Sequence, residues 1–462
     1  MKTHHIYKYL ILGFIALLLA ACTNTDAEQK FDQTPTERLN AQKGELNDLL
    51  LSAENGWKLV YFTDNTQLGG YTHLIKFATD GTVEMASDFD DDTAIYKSEY
   101  QIQLGSTVSL VFTTKNRIHL LSESDNYPIP SLRSKGYLGD FQFLYYGQEN
   151  GQIIFKINRV NEKTGTNTEL RFVKATAQDW TDLPKNIDMI ANVVGAPTRP
   201  LYRMLETNDG KTIRQFDFGF SEITRFAEAN SIEADYSVNY EMGIGYSPTG
   251  IVVSPAVEVG GQKLTTFVYN DLDGSFTATG KDGVTATIKY IDSDKPLILT
   301  DDYKMLLPGN PNNVYAYIYN LTNTAYTNSA LFNTILKDLN ASLNAGFQLT
   351  RVQPWFNNPD GSNYIEYRFG NASGATIARF FHYFTVTEDA TKKIIILEPL
   401  QWKSSTLPTA PAIAPPAFLK KLDDQLMNPE GLYFTKQGGF AYPAFTFKGV
   451  NSTFRMTVYP FQ

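Results

Sequence analysis

Tyr96-Lys97-Ser98-Glu99-Tyr100-Gln101-Ile102-Gln103-Leu104 sets Tyr96, Ser98, Tyr100, Ile102 and Leu104 against Lys97, Glu99, Gln101 and Gln103. Successive side chains of an extended chain point to opposite faces, so this alternation predicts a strand in an antiparallel sheet with one wet face. The flanking sequence repeats the pattern. Tyr71, His73, Ile75 and Phe77 alternate with Thr72, Leu74 and Lys76, and Asp80-Gly81 supplies a turn into Thr82 to Met85. Further strands are predicted at 107–113, 117–121, 140–146, 152–160 and 168–175. Eight or nine antiparallel strands in succession predict a meander that curls on itself.

A helix leads this run. Thr34-Pro35-Thr36-Glu37 offers a capping residue, a proline at the first helical position and a glutamate that can reach back to the cap. Leu39, Leu46, Leu49, Leu50 and Ala53 follow at helical spacing, and Asn55-Gly56 is read as the stop. Trp57, next in line, resembles the early tryptophan that plugs one end of a lipocalin-like barrel; a half-buried strand position would suit it equally. Aromatics at 13% and charged residues at 19% favour half-buried strands over helical bundles.

From Thr181 to Thr198 the chain is polar and punctuated by Pro184 and Pro197, which predicts a boundary containing a short helix. Strands resume at Tyr202 and are expected to lack a leading helix, sharing a sheet with a neighbour. Ser329 to Ala345 then reads as a second amphipathic helix, with Leu331, Ile335, Leu339 and Leu343 aligned. Its Asn344-Ala345-Gly346-Phe347 ending parallels Glu54-Asn55-Gly56-Trp57, so the final third is predicted to duplicate the opening. Pro408 to Pro416 reads as an extended loop before a short helix from Ala417 to Met427. The predicted fold is mainly β: lipocalin-like antiparallel meander or barrel modules, each led or capped by a short amphipathic helix. Residues 34–180 form a helix-led module, 181–325 a β-rich middle region and 326–462 a second helix-led module.

Residues 1–21 have the parts of a secretory signal: Lys2 and Lys8, an apolar run from Leu10 to Ala20, and small residues at the cut. Leu19-Ala20-Ala21-Cys22 resembles the bacterial lipobox, which makes Cys22, the only cysteine, the expected site of lipidation. Residues 22–33 read as a polar lipid tether. Removing the leader takes away two lysines and no acid, so the formal charge moves from -9 to -11. Nucleic acid is not an expected partner, because phosphate binding needs clustered basic residues.

Leu49 to Trp57, Gly69-Gly70-Tyr71, Phe77-Ala78-Thr79-Asp80-Gly81-Thr82-Val83 and Ser87-Asp88-Phe89 together resemble the Bacteroidota lipoprotein family catalogued as domain of unknown function 4302. The resemblance is sharpest over residues 37–180. It implies no established activity. It implies association with outer-membrane import systems of the SusC/SusD type, alongside lipoproteins that resemble zinc peptidases.

Few residues offer chemistry. Of the histidines beyond the leader, His73 and His382 share strand faces with aromatics and read as hydrogen-bonded core residues, whereas His119 is expected to be wet. No His-Glu-x-x-His helix and no Gly-x-Ser-x-Gly elbow occurs. Asp88, Asp90, Asp91 and Asp92 form the densest acidic cluster, a conceivable calcium site or a solvated hairpin tip. Trp355 and Phe356 could present a flat platform to sugar or peptide, or pack beneath their loop. No catalytic residue and no cofactor is assigned. The sequence thus leads to a surface-facing outer-membrane lipoprotein, held through lipidated Cys22, that binds a glycan, peptide or protein partner as a non-catalytic accessory to a TonB-dependent transporter complex. The alternatives are a carboxylate-dependent hydrolase and a structural envelope protein.

Overall fold

In the structure, a computed structural model, residues 34–291, 296–371 and 375–461 are described. Cys22 and the tether lie outside them. The first helix, α1 (Pro35–Leu51), starts where its capping box dictates: the Thr34 hydroxyl accepts from the Glu37 N–H, and the Glu37 carboxylate accepts from the Thr34 N–H. It stops at Leu51, short of Asn55-Gly56; Gly56, with φ of 74°, makes the separate turn into the first strand.

Eight strands follow: β1 (Trp57–Phe62), β2 (Gly70–Phe77), β3 (Thr82–Ser87), β4 (Tyr96–Leu104), β5 (Val108–Phe112), β6 (Gln142–Glu149), β7 (Gln152–Val160) and β8 (Asn167–Lys174). Each pairs antiparallel with the next, and β1 pairs with β8 to close a barrel. Trp57 is fully buried in its core and donates from Nε1 to the Leu50 carbonyl, tying α1 to the barrel. The strand expected at 117–121 is a 3-10 helix, Arg117–Leu121. Asn116 caps it by accepting from the Arg117 N–H, and the Asn116 N–H donates to His119 Nδ1.

The boundary region contains a long helix, α2 (Ala177–Val194), opened by a second capping box between Thr176 and Asp179. Contrary to expectation the middle strands therefore do have a leading helix, and they form their own nine-stranded antiparallel sheet spanning residues 203–290. This sheet also curls: Arg203–Asn208 pairs with Thr285–Tyr290, and Phe216 bridges to Ser231 across the remaining gap.

The third unit is a second ring. Asn313–Ile318 pairs with both Phe347–Phe356 and Arg455–Pro460, Thr376–Asp389 pairs with Ile394–Lys403, and Ile395 meets Leu432 on the strand Leu432–Gln437. Eight antiparallel strands thus enclose a core of about thirty buried apolar residues, among them Tyr317, Phe356, Tyr367 and Phe434. The helix Ala330–Ala341, capped by Ser329, lies between the first and second strands of this ring, not ahead of the first. The predicted duplication therefore holds for the meander and fails for the helix order. Among the described residues no helix is long and apolar enough to cross a membrane.

Candidate functional site

The acidic cluster does not converge on one point. Asp88 is wholly buried: its carboxylate accepts from the Thr72 N–H at 2.8 Å and from Asn186 Nδ2 at 2.8 Å, and lies 3.2 Å from the Arg225 guanidinium. Asp90 and Asp92 turn to Arg117, and Asp91 is exposed. Among the described residues no group of three or more acidic, histidine or cysteine side chains is placed to hold a metal ion. Asp88 instead belongs to the junction between the first barrel and the middle sheet.

Three segments make that junction. Arg225, at a φ of 50°, comes from the middle sheet, Asn186 from α2, and Tyr71 and Asp88 from the barrel. The Arg225 guanidinium lies over the rings of Tyr71 and Tyr246, at 4.1 and 4.6 Å, and donates to the carbonyls of Gly70 and Asp88. Gly69 lets the two backbones meet, since a Cβ there would stand 2.3 Å from the Arg225 carbonyl oxygen.

Trp355 and Phe356 separate. Phe356 points into the ring and is fully buried, which removes it from any exposed platform, because neighbours on a strand face opposite ways. Trp355 is half-buried on the outer face beside Tyr364, ring centres 5.7 Å apart. His73 is buried in the barrel on the strand face of Tyr71 and Ile75, its Nδ1 3.2 Å from the Tyr71 carbonyl oxygen, and burial pushes its pKa down to about 4. His382 lies inside the third unit, its Nδ1 2.8 Å from Asp423 and its ring stacked on Trp402. His119 is half-buried, stacked on Phe141, rather than fully wet.

The concavity suited to a ligand lies elsewhere. A cleft of about 350 Å³ opens between the middle sheet and the third unit, walled by Tyr202, Phe218, Phe220, Tyr290, Tyr326 and Lys436. Gly195 ends α2 at its floor with a φ of 110°. Arg203 donates to the carbonyls of Asn192 and Val193, so its charge sits at the negative end of the α2 dipole while its guanidinium stacks 4.3 Å from the Tyr290 ring. The opposite wall is pinned by Arg455, which donates to the carbonyls of Pro197 and Arg199. Tyr326 donates to the Gly438 carbonyl and stacks on Phe440. Burial pushes the Tyr202 and Tyr326 phenols up to about 12. The walls therefore combine flat aromatic faces with a few fixed polar groups, a composition that suits ligand binding.

Sequence reading missed this cleft because its walls come from distant segments. Its one local sign was Tyr202-Arg203 directly after the proline-punctuated boundary. The model of a family described as domain of unknown function (DUF4302) matches residues 27–271, more than half of the chain. The match spans both sides of the Asp88–Arg225 junction. No curated protein matches the chain.

Proposed function

The chain belongs to the DUF4302 family, and we propose that it is a lipid-anchored, surface-facing outer-membrane protein that captures a ligand without transforming it, as an accessory to SusC/SusD-type nutrient import. The observation that carries the reading is the aromatic cleft between two β units. Its tyrosine and phenylalanine faces suit sugar rings or peptide side chains, and the exposed Lys436 supplies an orienting polar contact. The anchor rests on Leu19-Ala20-Ala21-Cys22, and residues 22–33 then act as a tether that lets the body stand clear of the bilayer.

Isothermal titration with pooled neutral glycans and with pooled peptides tests the capture role. Saturable heat without product, weakened about tenfold (~1.4 kcal/mol) by Phe220→Ala with Lys436→Ala, supports it. Slow continuous heat with released product would replace capture by hydrolysis, and silence from every pool would remove the cleft from the account.

A further inference from the structure

The outer face of the third unit carries three rows of side chains fixed by strand register. Arg351 stands directly opposite Arg368, and Arg368 opposite Arg379. Two residues along each strand, Gln353, Glu366 and Phe381 form the next row, and Trp355, Tyr364 and Tyr383 the third. Alternate residues of these strands point inward to the core, so all three rows share the outer face.

Like charges directly opposite in a sheet destabilise it. Here three guanidinium groups share one carboxylate: Glu366 lies 2.9 Å from Arg368 and 3.4 Å from Arg379. Arg351 stacks on the Phe461 ring at 4.8 Å, and its pKa is held down by burial and by the neighbouring Arg368 and Arg379 charges. Lys403 adds a cation 5.4 Å from the Tyr383 ring. Between the rows the Gln353 amide is buried with both its nitrogen and its oxygen unpartnered. A chain of net charge -9 thus concentrates unbalanced positive charge on the same face as a row of tilted aromatic rings, Trp355 to Tyr364 at 5.7 Å and Tyr364 to Tyr383 at 5.3 Å. The arginine and aromatic rows are four residues apart, or about 13 Å along the strands.

We propose that this face is a second binding site, for a saccharide bearing sulfate or phosphate esters: the Trp355 row stacks sugar rings and the Arg351 row takes the oxyanion. Guanidinium groups pair with such oxyanions through parallel N–H donors. The bound anion relieves the repulsion that the row otherwise carries. The site is separate from the cleft and does not depend on it.

The test uses the full-length Cys22→Ser chain, titrated with heparin, a phosphorylated mannan, neutral dextran, phosphatidylglycerol vesicles, and sulfate and phosphate ions alone. Binding of heparin, the mannan or both, with dextran silent, supports the site and tells sulfate from phosphate ester. Arg351→Gln with Arg379→Gln should weaken that binding at least tenfold, and Arg379→Gln alone, on a half-exposed side chain, about threefold. Circular dichroism confirms the fold of each variant. Undiminished binding by the variants, binding to the vesicles but neither polysaccharide, an adventitious ion only, or no binding at all would each overturn the proposal.

Discussion

Arg225 and Asp88, 137 residues apart in sequence, form a buried ion pair at 3.2 Å that joins the first barrel to the middle sheet. A buried charge that loses its partner is costly, because the survivor keeps its desolvation penalty without compensation. Arg225→Met should therefore destabilise the protein by roughly 3–5 kcal/mol in urea unfolding. The double variant with Asp88→Asn should cost less than the two single variants together. Strict additivity would mean that the pair is not coupled.

Two glycines should respond oppositely to alanine. Gly44 lies on exposed α1 with open space where a Cβ would be, so Gly44→Ala should stabilise by about 0.5–1 kcal/mol through helix propensity. At Gly69 a Cβ would collide with Arg225 and with the Ile244 carbonyl, so Gly69→Ala should lower the melting temperature and open the junction to limited proteolysis. Equal melting temperatures for the two variants would contradict the close approach.

His73 gives the first barrel a pH dependence. Its pKa falls from 6.5 to about 4 on folding, chiefly through burial, opposed by the nearby Asp88 charge and reinforced by Arg117 and Arg225. Between those values the unfolded chain binds a proton that the folded chain does not. Stability is thus full well above pH 6.5 and lost as pH falls toward 4, by roughly 3 kcal/mol from this group. His73→Gln should flatten that part of the unfolding profile, and an unchanged slope would assign it to other groups.

The outer arginine row makes a prediction for the protein without ligand. With burial first, and then Arg368 and Arg379, disfavouring the charged form of Arg351, Arg351→Gln should leave stability in low salt equal or higher despite the lost contact with Phe461. A drop of more than about 1 kcal/mol, the scale of such a ring contact, would show that Arg351 is there for the fold.

Local features were legible in the sequence, and assembled ones were not. The Thr34–Glu37 box and the alternation of β4 are properties of a few consecutive residues; the box appears as expected, and the alternation holds at Ser98 and Tyr100 but not at the exposed ends Tyr96 and Leu104. Arg117 to Leu121 reads as a strand because five residues are too few to tell a strand from a 3-10 turn, and the cap that decides it, Asn116, lies just outside that stretch. Asp88 looked like part of a wet acidic tip because its partner comes from another unit. Trp355 and Phe356 could be separated only by knowing which strand face was inward. The cleft and the arginine row depend on packing between units and on cross-strand register, neither of which one strand encodes.

The address underlies the proposed role and can be measured directly. Intact cells producing the wild-type chain or Cys22→Ser are treated with protease and then fractionated. The account predicts that the wild-type chain is in the outer membrane and is shaved from the surface, while the serine variant is released as a soluble periplasmic protein. A serine variant that remains in the membrane fraction, or a wild-type chain found only in the soluble fraction, would contradict it.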